Sequence, residues 1–341
     1  MEPSNIGLIL VKAETTYLTD PTPTIAANAL PVLADPTFEV STTRVSRKIL
    51  DGTLDRVPGF NVLPNVTLKF RYELRGNLRN GTTQLDITNG TSTQAVEIHA
   101  LLAAANLTAT YTAAGTPGSE GSSAGSRDGY VTYKPARQVT QGSSVTVYWY
   151  SALKLHKLLG GKVTFTISAE AGKPAYIDFT VRGKYVAVAD ATFSTTGWAP
   201  LTIKPPQFIL TTGTMASYTP VFSRLSLDLG NEIAMREDAL QTDGVAGFII
   251  GDRMSKGEVN PDSVAEATHP WWADWIASTV KALTLIWGGT AGNKLSLVLS
   301  TEQTAVKYAD ANRARIQSVN FDLVKTALDA TEGSDLALKF F

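Results

Sequence analysis

From Val66 to Arg75 every second residue is apolar: Val66, Leu68, Phe70, Tyr72 and Leu74 alternate with Thr67, Lys69, Arg71, Glu73 and Arg75. Side chains of an extended strand point to opposite faces in turn, so this pattern predicts a strand with one dry face. Val163, Phe165 and Ile167 repeat it against Thr164, Thr166 and Ser168, as do Ile177, Phe179 and Val181 against Asp178, Thr180 and Arg182. The turn-forming residues Glu170 to Pro174 lie between them, which predicts an antiparallel pair. Near the C-terminus Leu295, Leu297 and Leu299, then Val319, Phe321 and Leu323, predict a second antiparallel set.

Two segments carry helical spacing. Over about Gln94 to Ala105, Ile98, Leu101, Leu102 and Ala105 fall on one stripe, with Thr91 and Gln94 spaced as a capping box. Over about Pro270 to Leu283 the stripe is Trp272, Trp275, Ile276, Thr279 and Leu283, and Pro270 suits a first helical turn because its missing N–H is not needed there. Each helix is expected to cover one sheet.

The order strand, long loop, strand, helix, closing strands therefore occurs twice. Phe38 to Ile49, a loop through Phe60, Val66 to Leu74 and the first helix correspond to Phe222 to Met235, a loop through Asp243, Val245 to Ile250 and the second helix. Few residues are identical between the halves, so the expected duplication rests on element order. It predicts a mainly β chain of two tandem domains, residues 1–188 and 189–341, each a β-sandwich or partial barrel flanked by one helix. The first copy carries an extra Gly/Ser-rich segment near 112–141.

Composition narrows the function. The 341 residues are 43% hydrophobic and 18% charged, with 30 basic against 31 acidic side chains. That describes a folded globular protein without the basic excess by which proteins displace counterions from nucleic acid. There is no cysteine, hence neither disulfide nor thiolate metal chemistry. Met1 to Asn5 has no basic region followed by an apolar one, which predicts a chain that is not exported. Apolar runs such as Ala282 to Trp287 are far short of the roughly 20 residues of a spanning helix, so no membrane insertion is expected.

Candidate chemistry is sparse. Gly121 to Gly125 matches G-x-S-x-G, with His156 and His269 downstream, but a nucleophile elbow needs a strained strand-to-helix turn and this pentapeptide sits in a Gly/Ser loop. His99, His156 and His269 form no metal-ligand spacing, and Glu232, Glu237 and Asp238 lack that of a calcium loop. Trp271, Trp272 and Trp275 at helical spacing anchor a helix on a sheet more often than they stack on a sugar. No phosphate-binding glycine motif is present. The expectation is a non-enzymatic protein with no cofactor or metal.

Three blocks carry a resemblance. Val147-Tyr148-Trp149-Tyr150 with Leu158 to Tyr185, then Leu227 to Ile233 with Asp243 to Arg253 and Gly257 to Asp262, and the opening Glu14 to Asn28 resemble the tail tube proteins of long-tailed, non-contractile bacteriophages, in the form with a duplicated tube domain. The resemblance implies a fold related to the type VI secretion tube protein and subunits that join sheets side by side into stacked rings. It further implies assembly in the host cytoplasm, residence in the virion tail, DNA and a tape measure protein in the lumen, and terminator and baseplate proteins at the ends. Because that family's ring holds six tube domains, a duplicated chain implies trimeric rings with pseudo-sixfold symmetry, a hexamer of chains being the alternative. Another tail part, a terminator or baseplate hub, and a carbohydrate-binding β-sandwich are the competing readings.

For a tube the contact residues are expected on loops. The arm Thr19 to Asp35 and the loops Leu50 to Pro64 and Glu237 to Asp243 are expected to join ring to ring, with Arg56, Phe60, Asp238 and Asp243 as inter-ring or inter-subunit contacts. A lumen that passes DNA should be acidic or neutral, so Lys69, Arg71 and Arg75 should face outward or be paired with carboxylates across a subunit boundary.

Overall fold

A computed structural model describes residues 7–33, 36–50, 52, 55–76, 87–88, 91–92, 96–112, 130–136, 142–151, 153–192, 194–198, 204–289, 293–311, 313–325 and 335–341. The expected Gly/Ser insertion at 112–141 and the Gly121–Gly125 pentapeptide lie largely or wholly outside these residues.

The chain is mainly β. Its first half runs β1 (Gly7–Ala13), α1 (Ile25–Asn28), β2 (Ala29–Leu30), β3 (Thr37–Val45), β4 (Phe60–Glu73), the short β5 (Ile87–Thr88) and β6 (Thr91–Ser92), α2 (His99–Ala104), β7 (Leu107–Thr112), β8 (Tyr130–Pro135), β9 (Val145–Ser151), β10 (Lys154–Glu170) and β11 (Tyr176–Asp190). The second runs β12 (Leu210–Met215), β13 (Phe222–Asp228), β14 (Asn231–Glu237), β15 (Val245–Arg253), β16 (Lys256–Pro261), α3 (Trp271–Ile276), β17 (Val280–Trp287), β18 (Leu295–Ala311), β19 (Ala314–Leu323) and β20 (Leu336–Phe340). Sixteen of these strands belong to one antiparallel sheet, with β14–β15 and β5–β6 as separate hairpins, and the described strands form no closed barrel.

One order of pairing occurs in both halves. In the first, β3 lies on β4, β4 on β11, β11 on β10 and β10 on β9. In the second, β13 lies on β16, β16 on β19, β19 on β18 and β18 on β17. One irregularity recurs as well: the β10–β11 ladder shifts register between Leu159 and Lys162, and the β18–β19 ladder between Gln303 and Ala305.

The alternation seen in the sequence decides which face is dry. Val66, Leu68, Phe70 and Tyr72 of β4, Val163, Phe165 and Ile167 of β10 and Ile177, Phe179 and Val181 of β11 are buried. They share a single core cluster with Leu225, Leu227, Val259, Leu295, Leu297, Leu299, Val319 and Phe321 of the second half. Gly257 belongs to this packing: a Cβ there would lie 2.5 Å from the Phe321 ring, so the absent side chain lets that ring cover β16.

Both helices are shorter than their apolar spacing predicts, six residues each, and end alike. The N–H of Ala105 donates to the Leu101 carbonyl and that of Ala277 to Ala273. The next residue, Asn106 or Ser278, turns left-handed at φ 64° or 49°, and a strand follows. Leu283 accordingly belongs to β17 and Ile276 is exposed, while Trp271, outside the predicted stripe, is fully buried. The loop expected to reach Pro64 is also shorter, because β4 starts at Phe60, where Leu63 in the left-handed region (φ 55°) breaks the alternation that marks the rest of the strand.

Candidate assembly surfaces

The two halves are stitched together along strand edges. β13 pairs with the C-terminal part of β10 in the register Thr166–Asp228, Ile167–Leu227, Ser168–Ser226 and Ala169–Leu225. At the other side β20 of the second half pairs with β8 of the first, Leu338 opposite Tyr133.

The hairpin β14–β15 leaves this junction and straps the first half. The Asn231 side-chain amide donates to the carbonyls of Val163 and Ala105, both at 2.9 Å, and its backbone N–H donates to Thr164 Oγ1. Arg182 donates to the Ile233 carbonyl at 2.8 Å, and Lys184 forms an ion pair with Asp243 at 2.9 Å. Ile233, Val245 and Phe248 close a small apolar cluster with Leu63 of β4. The Tyr17 hydroxyl completes the strap, accepting from the Phe248 N–H at 2.6 Å and donating to its carbonyl at 3.2 Å. Gly247 makes room, since a Cβ there would lie 2.2 Å from that hydroxyl.

The N-terminal arm is held just as closely. The Glu14 carboxylate accepts from Ser144 Oγ, Thr146 Oγ1 and the backbone N–H groups of Leu18 and Gly160. Asp20 takes hydrogen bonds from the Tyr148 hydroxyl and from Lys157. Burial opposes ionisation of Asp20, but these donors outweigh it and hold the carboxyl below its ordinary 3.8.

These contacts locate the residues expected to mediate assembly. Asp238 and Asp243 come together at the β14–β15 turn, where each serves its own chain. Asp238 accepts from the Leu240 N–H, and Asp243 accepts from Val245 while pairing with Lys184. Burial works against the Asp243 charge, yet the Lys184 and Val245 hydrogen bonds keep its carboxyl below 3.8. Arg56 lies in the other connector, between β3 and β4, and Phe60 begins β4 opposite Val45; both are exposed.

The sheet face opposite the core is polar, and one row of it crosses both halves in continuous register. Arg71 lies opposite Asp178, Asp178 opposite Thr166, Thr166 opposite Asp228, Asp228 opposite Lys256, Lys256 opposite Asp322 and Asp322 opposite Glu302. Arg71 is bound bidentately by Asp178 at 2.7 and 2.9 Å, and Arg224 pairs with Glu258 at 2.7 Å. Lys69 shares this face, whereas Arg75 turns to Glu73 at 3.0 Å. An open groove of about 600 Å³ runs over the junction, lined by Arg71, Ser168, Glu170, Arg224, Ser226 and Glu258.

Several described strands pair on one side only, β2, β7 and β12 among them, and two such edges are long. β3 pairs with β4 on one side only, and β18 beyond Glu302 pairs with β19 on one side only, β17 ending opposite that residue. An open strand edge presents unpaired backbone N–H and C=O groups to which another chain can pair. The model of the phage tail tube protein family matches residues 4–323. The chain belongs to that family. Among curated proteins no match was found.

A tail tube protein is a structural part of a bacteriophage tail, and its place is the virion. Among the described residues no three His, Asp or Glu side chains gather as metal ligands, and no helix is long and apolar enough to cross a membrane. His269, the most enclosed histidine, is stacked on Tyr218 with ring centroids 4.6 Å apart and sits in the core rather than in a cleft.

Proposed function

We propose that the two halves, residues 1–188 and 189–341, are copies of one tube domain and that three chains close a ring of pseudo-sixfold symmetry. The recurrence of the strand pairing order, β3-β4-β11-β10-β9 and β13-β16-β19-β18-β17, carries this reading. Neighbouring chains then meet head to tail, first copy against second, the heterologous contact that rotation closes into a ring.

Stacked rings form the tube through which the phage DNA leaves, with a tape measure protein in the lumen and terminator and baseplate proteins at the ends. The polar face of the sheet, with Asp178, Asp228, Asp322 and Glu302 outweighing Arg71 and Lys256 along its registered row, supplies a wall on which phosphates find no net positive charge. Arg56 and Phe60 are placed to touch a neighbouring chain or ring, whereas Asp238 and Asp243 shape the hairpin that presents its turn to one.

Native mass spectrometry of rings released from tubes tests the stoichiometry. Three times the 36.5 kDa chain mass is expected; six times that mass would reject the reading.

A further inference from the structure

The internal junction supplies a template for the contact between chains. Matched by the pairing order, the cross-sheet row Phe38, Leu68, Val181, Val163 of the first half corresponds to Leu225, Val259, Val319, Val306 of the second. β18 therefore stands where β10 stands, and β3 where β13 stands. Inside the chain β13 fills the open side of β10; among the described strands none pairs with the open side of β18 beyond Glu302 or with the free edge of β3.

The exposure of equivalent residues makes the same point. Leu227, Phe165 and Ala104 are 0%, 1% and 0% exposed around the internal junction, whereas their counterparts Val40, Tyr308 and Ile276 are 47%, 57% and 81% exposed. Val40, Tyr308 and Ile276 are among the large apolar side chains left in water, and the matching junction would bury all three. A monomer has no reason to carry such patches at both ends, and a second copy of the chain covers both at once.

We infer that β3 of one chain pairs antiparallel with the edge Ala305–Asp310 of β18 in the next, in the register of the internal junction, with Val40, Tyr308 and Ile276 buried beneath the joint. The inference rests on the ring reading above and deepens it by naming the surface. Thr166 opposite Asp228 becomes Ala309 opposite Ser41, and Ile167 opposite Leu227 becomes Asp310 opposite Val40. The N–H of Leu229 donates to the Phe165 carbonyl, so those two form a hydrogen-bonded pair and the adjacent pair Thr166–Asp228 is the closer, non-hydrogen-bonded kind. Ser41 and Ala309 inherit that geometry, with Cα atoms about 4.5 Å apart, within the span of a disulfide.

The absence of cysteine gives the test a clean background. Tubes of the double variant Ser41→Cys/Ala309→Cys, oxidised and run on a non-reducing gel, should collapse to a covalent trimer, while either single variant stays monomeric. Val40→Asp should give a folded monomer that forms no rings, because Val40 is already in water in the single chain. Tubes that form normally from the double variant without cross-linking, or from Val40→Asp, would overturn the register and leave the ring reading standing. Failure of the unaltered protein to form rings at all would remove the ring reading itself, and this inference with it.

Discussion

The Asn231 side-chain amide donates to the Val163 carbonyl across 2.9 Å, joining the first residue of β14 to the middle of β10 and so one half of the chain to the other. Its second hydrogen bond reaches the Ala105 carbonyl at the end of α2, and the residue is buried. Asn231→Ala leaves two buried carbonyls without that donor and should cost about 2 kcal/mol in urea unfolding of the monomer. A loss within experimental error would mean that Arg182, Lys184–Asp243, Tyr17 and the apolar cluster around Phe248 hold the strap without it.

Trp271 and Ile276 sit on the same six-residue helix with opposite duties. Trp271 is fully buried against Tyr218 and His269, so Trp271→Ala should destabilise the chain by about 3–5 kcal/mol. Ile276 is exposed, so Ile276→Ser should leave the unfolding curve of the monomer unchanged and weaken ring formation. Equal effects of the two on monomer stability would contradict the helix orientation.

His269 gives a pH dependence of known sign. Burial and the nearby Lys281 ammonium depress its pKa below the ordinary 6.5, outweighing Asp274 and Glu266. The folded state therefore resists protonation that the unfolded chain accepts, so stability is present above pH 6.5 and declines as pH falls below that value. His99, depressed by burial, acts in the same direction. The melting temperature should drop between pH 7 and pH 5, and His269→Phe should flatten part of that slope; an unchanged slope would show His269 to be uninvolved.

The Arg71–Asp178 pair is partly exposed, with side chains 49% and 39% accessible, so it contributes about 1 kcal/mol or less. Its proposed importance is electrostatic. Phages assembled with Asp178→Lys and Asp228→Lys should eject DNA more slowly in low salt, with the difference fading as salt screens the wall. Ejection at the unaltered rate in low salt would place this sheet face away from the channel.

Much of this fold is legible in the residues. The strands around Leu68, Phe165 and Phe179 announce themselves because one face is dry along their length, and period two leaves no rival. The stretch from Trp271 to Trp287 is harder: Trp272, Trp275, Ile276, Thr279 and Leu283 fit helical spacing while Leu283, Leu285 and Trp287 fit a strand, and the left-handed Ser278 that divides them carries no sequence signal comparable to a glycine. Edge pairings such as Leu338 with Tyr133, and ion pairs such as Lys184 with Asp243, join residues distant in sequence and are fixed only by the assembled sheet. The same holds for the contact surface. Arg56 and Phe60 stand out by residue type, but Val40 and Tyr308 gain significance only when their exposure is compared with the burial of Leu227 and Phe165.

The central claim is that one chain contains two tube domains. A cryo-EM reconstruction of tubes made from the purified protein, with no rotational symmetry imposed, tests it most directly. Three chains per ring, with residues 1–188 and 189–341 alternating around the wall, is the predicted result. Six chains per ring, each with one half lying outside the wall, would contradict it.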